Sequence, residues 1–324
     1  MTWDLFQKHM QEQRYEWLRE GMPEIAREML NVQGKELRAR LVFLTAQLLG
    51  PITPAHVSLA CAIECIHTAS LLHDDVLDQG NMRRGRPCTH RIWGNTAAVL
   101  SGDWWLAKGF FMLLQVGHLD VIARVQKAMI QLVQGQLADC LMPHHGDRSA
   151  YLTMIQDKTA CLFAVSAAGS SMISGGTKDQ VHGLESYGMG VGMAYQLHDD
   201  AWEYGEHPEK WDGGHDFFQE KTTYPVILMR ERGHEPEYPQ FLAAQKQARL
   251  WMAQGRWNDG VPCPHSMPGL GPSLETVYHA MQAFVAETSL LAETYRRNAL
   301  LEIVKLWGGG QLKDLLEYSD FSKK

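Results

Sequence analysis

Residues 53–78, TPAHVSLACAIECIHTASLLHDDVLD, decide the architecture of this chain. Thr53 suits a helix N-cap, and Pro54 suits the first helical position, where a missing N–H removes no intrahelical bond. From there the apolar residues recur at helical spacing with no further proline or glycine, and the run ends in three carboxylates, Asp74, Asp75 and Asp78. Residues 195–203, YQLHDDAWE, close a second long helical stretch in the same way, with Asp199, Asp200 and Glu203. On a helix, residues i and i+4 share a face and i+1 lies about 100° away, so each cluster projects its carboxylates from roughly one side. One DDxxD alone is ordinarily a solvated acidic face. Two, each after an apolar run and a histidine, read as two half-sites for hard cations. Magnesium takes one or two carboxylates and fills other positions with water and phosphate oxygens, so facing clusters suit a metal-bridged di- or triphosphate.

Helical period dominates the rest of the chain, and no convincing alternating strand is found. Gly50 and Pro51 end one helix, and residues 94–117, GNTAAVLSGDWWLAKGFFMLLQVG, read as a nearly all-apolar helix that should be buried centrally. Further helices are expected at about 119–141, 150–174, 178–204, 222–232, 238–254 and 274–306. Gly183, Gly188, Gly190 and Gly192 lie inside the helix leading to the second cluster, which is read as tight helix packing rather than ligand contact. Residues 255–273 are rich in glycine and proline and read as a surface loop, not a linker. The expectation is an all-α chain forming one domain over 1–324.

Bulk properties narrow the function. A net charge of −7 argues against a nucleic-acid groove, and it leaves the binding of an anion to local cations or metal ions. The six cysteines form no CxxC pair, and no charged-then-apolar leader opens the chain, so a reduced, cytoplasmic compartment is expected. Cys61, Cys65 and His67 could be taken for zinc ligands, but small thiols on an apolar helical face read more simply as core. No apolar run is expected to span a bilayer, which takes about 18 to 20 residues.

Cations stand at informative places. Arg83 and Arg84 follow the first cluster by one short loop, within reach of a phosphate held there, and guanidinium groups bind phosphate oxygens in pairs. Lys35 and Arg38 lie at i and i+3 where a helix opens, so their heads can converge on one anion, although taken alone the pattern reads better as a solvated surface lysine. Lys158 and Lys221 each precede a threonine near the second cluster and say little singly.

Taken in order, GKELR (34–38), IHTASLLHDDVLDQGNMRRGRPCTH (66–90), KTACLF (158–163), YQLHDDAWE (195–203) and EKTTYP (220–225) resemble the trans-type isoprenyl diphosphate synthases, the polyprenyl synthetase family. The resemblance runs from about Gly34 to Pro225. It implies a bundle of long helices around a deep central cavity, the isoprenoid synthase type, usually as a homodimer. It also implies that Asp74, Asp75 and Asp78 with Asp199 and Asp200 ligate magnesium, three ions per site, on an allylic diphosphate, aided by Arg83, Lys158, Gln196 and Lys221. Glu203 extends the second set in place of the usual aspartate, with an oxygen ligand on a longer arm. Lys35, Arg38, His67 and Arg84 resemble the site for isopentenyl diphosphate.

The implied reaction is ionisation, condensation and proton loss, with the released diphosphate as base; His67 and His73 are assigned to binding and support, with a general-base histidine as the alternative. Bulky residues four or five positions before the first motif close the cavity floor in this family. Here they are Ser70 and Ala69, which leaves room toward Ile66, Cys65 and Ala62 and implies products of geranylgeranyl length or longer. The alternative is an aromatic from a neighbouring helix, Phe110, Phe111 or Trp105, that blocks the channel instead. Glu36 stands where a basic residue is common and Ala39 where proline is usual, and the stretch after Glu203 lacks the family's GKP lysine. A terpene cyclase, a head-to-head condensing enzyme and a non-catalytic partner subunit are the competing readings.

Overall fold

The computed structural model describes residues 1–28, 34–83, 86–141, 146–205, 216–232, 237–253, 271–307 and 312–321. Its helices are α1 (Trp3–Arg19), α2 (Glu24–Glu28), α3 (Leu37–Leu49), α4 (Pro54–Leu77), α5 (Thr89–Trp93), α6 (Asn95–Val116), α7 (Leu119–Leu141), α8 (Arg148–Ile155), α9 (Cys161–Ile173), α10 (Lys178–Gly205), α11 (Tyr224–Glu231), α12 (Glu237–Ala253), α13 (Gly271–Trp307) and α14 (Lys313–Tyr318). The all-α expectation holds. Among the described residues the sole sheet is the antiparallel pair β1 (Met82–Arg83) and β2 (Arg86–Pro87) in the loop after the first acidic cluster. Expected helix bounds agree within three residues, but α8 and α9 are separated by a π-helical turn, Gln156–Ala160. The expected loop over 255–273 lies outside the described residues up to 270, and its last three residues open α13.

Helix α4 is the axis of the larger core. Its start is fixed as the sequence suggests: Thr53 is the N-cap and Pro54 follows it, while the Thr53 N–H donates to Nδ1 of His56 at 3.1 Å. Buried residues on almost every side of it, among them Leu59, Ile63, Cys65 and Leu72, pack against α3, α6 and α9. By length and composition α4 could cross a membrane, with a mean hydropathy of 1.4 in its best 18-residue window, which corrects the expectation that no stretch qualifies. In the fold that hydropathy is used for the core. Cys61 and Cys65 are buried free thiols, as expected.

The second long helix, α10, joins this core to a smaller one built from α8, α11, α12 and α13. Close approach explains its glycines. A Cβ on Gly188 would stand 2.5 Å from the Phe163 carbonyl oxygen of α9, so only glycine lets the two backbones meet there. Central burial of α6 is not what the structure shows. One face packs on α4, but Leu100, Phe111 and Leu114 on the other are 61%, 48% and 67% exposed, so the helix covers the core while presenting a second apolar face outward.

Candidate active site

Both acidic clusters line one cavity of about 490 Å³, and α4 and α10 deliver them at their C-terminal ends. From α4, Asp75 accepts from Arg83 Nε and lies 2.6 Å from its Nη2. Asp74 lies 3.3 Å from Lys158 Nζ and 3.8 Å from Arg83 Nη2. Asp78, the C-cap of α4, pairs with Lys221 at 2.5 Å. Burial pushes the Asp74 carboxyl up, yet Lys158, Lys221 and Arg83 together hold it below its ordinary value, whereas burial and the neighbouring Asp74 push the Asp78 carboxyl up against the pull of Lys221.

Among the described residues, cluster two is braced by fewer cations than cluster one. Burial and the repulsion of Asp216 push Asp199 up to about 6, and burial takes Asp200 to about 7 despite hydrogen bonds from Tyr151 and Gln196. Glu203 is raised further by burial and by Asp216, whose backbone N–H it accepts at 2.9 Å. Among the described residues, eight carboxylates and four cations line the cavity. Such a surplus of buried oxygen donors fits hard divalent cations, which would relieve the repulsion. Among the described residues no three Asp, Glu, His or Cys groups converge as a complete metal cage.

Lys158 owes its place to a local irregularity. It sits in the π-helical turn, and both Lys158 and Thr159 line the cavity. A Cβ on Gly135 of α7 would stand 2.3 Å from the Lys158 backbone nitrogen, so the glycine admits the wider turn. Nζ of Lys158 is then held between Asp74 and Asp139, the latter at 2.6 Å.

A sequence model of the polyprenyl synthetase family matches residues 19–249. The chain belongs to the polyprenyl synthetase family. Octaprenyl diphosphate synthase of Escherichia coli K12 is 35% identical over 213 residues, covering 64% of this chain and 66% of that one, so the match spans just under two thirds of that relative. Decaprenyl diphosphate synthase from Rhodobacter capsulatus shares the fold at a TM-score of 0.78 and 28% identity, over 98% of this chain and 97% of that one. Polyprenyl synthase from Caulobacter crescentus CB15, solved with calcium and isoprenyl diphosphate, gives 0.77 and 27% over 93% and 88%.

Most residues singled out from the family motifs meet in the cavity: Asp74, Asp75, Asp78, Asp199, Asp200 and Glu203, with Arg38, His67, Ser70, Arg83, Lys158, Gln196 and Lys221. Lys35 is exposed and does not line it, although its charge acts on Asp199. Arg84 lies outside the described residues. Ala69 is buried at 2% exposure and faces packing instead of the cavity. The path expected beyond it is filled: a Cβ on Gly109 of α6 would stand 3.2 Å from Ile66 Cγ1 and 3.4 Å from both the Ala62 oxygen and the Cys65 Cβ, so α6 lies directly on that stretch of α4. None of the three aromatics expected as a plug takes its place: Phe110 and Phe111 are exposed, and Trp105 packs edge-on to Trp17 and Trp104.

His73 is turned to α6, 3.2 Å from the Val99 oxygen and 3.4 Å from Asp103, which removes it from the cavity and from the role of base. Glu36, with φ of 47°, bonds Gln7 and Arg14 of α1 and does not line the cavity. Sequence reasoning missed Asp139, Tyr151 and Thr159. The i, i+3 pair Gln136 and Asp139, on the face of α7 that carries buried Gly135, was the available signal for the first of these.

Proposed function

We propose that this chain is a trans-prenyltransferase that joins isopentenyl diphosphate head-to-tail to an allylic diphosphate; the further reading that its products are of geranylgeranyl length or longer rests on its likeness to octaprenyl and decaprenyl diphosphate synthases and not on the stretch below Ala69, which α6 covers. The observation that carries it is the meeting of both acidic clusters across one cavity that also holds Arg83, Lys158 and Lys221. In the reaction the C1–O bond of the allylic diphosphate breaks, C4 of isopentenyl diphosphate bonds to C1, and the proton lost from C2 goes to the released diphosphate. Asp74, Asp75 and Asp78 on one wall and Asp199, Asp200 and Glu203 on the other would hold magnesium, three ions in this reading, which would neutralise charge on the leaving group.

Arg83, Lys158 and Lys221 add fixed positive charge where the negative charge of the leaving group grows, a contribution made mostly in the transition state. Arg38 suits the acceptor diphosphate. It is 8% exposed, its plane lies over Phe163 at 4.5 Å, and its Nε has no hydrogen-bond partner, so a buried donor waits at the cavity wall. Tyr151 and Gln196 hold Asp200 in orientation, and the apolar walls at Leu132, Leu162 and Met154 give a carbocation no nucleophile.

The 324 residues act as one domain in this reading, since α10 belongs to both cores. The chain works as a cytoplasmic homodimer that pairs through the exposed faces of α6 and α7. The test is incubation of purified protein with labelled isopentenyl diphosphate, magnesium and allylic primers of several lengths, followed by sizing of the products. Elongation beyond farnesyl supports the proposal. Cyclised hydrocarbon, head-to-head product, or no turnover without a second subunit would each replace it with the corresponding alternative.

A further inference from the structure

Three helices converge on the first turn of α3, the turn that carries Arg38. From α1, Arg14 meets Glu36 at 2.8 Å. From α14, the Tyr318 hydroxyl donates to the Leu37 carbonyl at 2.8 Å. From α4, Glu64 Oε1 accepts the backbone N–H of Ala39 at 3.0 Å. The last contact is unusual in kind. Ala39 is the third residue of the helix, where an N–H has no partner within its own helix, and the group that satisfies it is a carboxylate from a different element. A carboxylate is also the right charge for a helix N-terminus. Proline at position 39, usual in the family, has no N–H to give, so alanine here creates a tie that proline would forbid.

Glu64 lies outside the cavity lining, yet it is bracketed by two of its groups. His67, three residues further along α4 and on the same side, lines the cavity, as does Arg38 from α3. Burial leaves the Glu64 carboxyl above its ordinary value against the pull of Arg38, the Ala39 N–H and Arg14, so the positive charge of Arg38 lies among the groups that favour its ionised form. No step of the proposed reaction uses it.

We propose that Glu64 is a positioning residue of the acceptor-diphosphate site: through the Ala39 N–H it fixes the first turn of α3 against α4 and so holds Arg38 and His67 at the spacing one diphosphate requires. The inference rests on reading Arg38 as part of that site. A guanidinium displaced by a fraction of an ångström loses paired contacts to phosphate oxygens, so the effect should fall on one substrate. An allylic diphosphate held by Arg83, Lys158 and the acidic clusters should not sense it.

Steady-state kinetics on Glu64→Leu, Glu64→Gln and Arg38→Ala, each with its melting temperature, test this. Glu64→Leu should raise KM for isopentenyl diphosphate by about tenfold or more and leave KM for the allylic primer within about twofold. Glu64→Gln keeps an oxygen that can accept from Ala39 and should recover most of that loss. If Glu64→Leu does not fold, Glu64→Asp, one methylene too short to reach, takes its place with the same expectation. Both Michaelis constants rising together, an unchanged acceptor KM in a folded Leu or Asp variant, or a Gln variant as impaired as Leu overturns the proposal. Arg38→Ala separates the two levels. If it raises the acceptor KM while the Glu64 variants do not, the Glu64 role alone falls; if it leaves that KM unchanged, the acceptor-site reading falls and takes the Glu64 role with it.

Discussion

Asp74 sits where Lys158 and Arg83 both reach it, and with Lys221 they keep its carboxyl below its ordinary pKa. Replacing it with alanine leaves those cations without their common partner and removes a ligand for the metal that offsets leaving-group charge. Asp74→Ala should therefore lower kcat by about a hundredfold or more while the protein stays folded, as single-turnover assays with saturating magnesium would show. Near-native turnover would sink the assignment of the cluster. The neighbouring floor positions separate in the same physical way. Ser70 lines the cavity and Ala69 does not, so Ser70→Phe should shorten the product, whereas Ala69→Phe should overpack the core and cost about 1–3 kcal/mol in denaturant unfolding. An unchanged product distribution for Ser70→Phe would place the floor elsewhere. Side-chain identity made the carboxylates and arginines legible in advance, because few other arrangements use them so densely. It could not tell Ala69 from Ser70, whose difference is set by how α6 lies on α4.

Helices were legible where an apolar period continued for several turns, as in α4, α7 and α10, and less so where anchoring was sparse. Helix α1 fully buries Phe6, Met10 and Trp17, with Trp3 and Leu18 half-buried beside them, so its place is decided by α3, α4 and the indoles of α6. The π turn had no local signature, since it depends on Gly135 in another helix. Gly188 makes the contact between α9 and α10 testable. Gly188→Ala improves helix propensity but puts a methyl 2.5 Å from a backbone oxygen, so the protein should lose about 1–3 kcal/mol at unchanged m-value. A gain in stability would contradict the observed approach. His56 makes the start of α4 sensitive to pH. It is fully buried, accepts from the Thr53 N–H through Nδ1 and so donates from Nε2 to Ser174 Oγ at 3.0 Å, and burial lowers its pKa. The unfolded chain therefore takes up the extra proton: its stabilising share is present above about 6.5 and is lost as pH falls from there toward the depressed native value. Between pH 7.5 and 5.5 the wild type should lose more stability than His56→Gln, measured by urea midpoints; equal losses would show that His56 is not the group responsible.

At the scale of the molecule, the outward faces of α6 and α7 carry exposed apolar side chains that the proposed homodimer would cover. Leu100, Phe111 and Leu114 recur along one side of α6, and Ile130, Val133, Leu137 and Leu141 along one side of α7, all between 48% and 78% exposed. Monomeric surfaces rarely carry apolar patches larger than a few hundred Å², whereas an isologous two-fold contact covers the same stripe on both copies at once. The inner faces of the same two helices carry Gly109 against α4 and Gly135 against the Lys158 turn, so a contact on the outside bears on the cavity wall within. Leu114→Glu combined with Leu137→Glu places like charges on both sides of a two-fold contact and should convert dimers to monomers in sedimentation velocity at micromolar concentration. Turnover should fall with it, because α7 carries the Asp139 that holds Lys158. A wild type that sediments as a monomer under those conditions would overturn the pairing, and a monomeric double variant with full activity would show that the cavity wall stands without it.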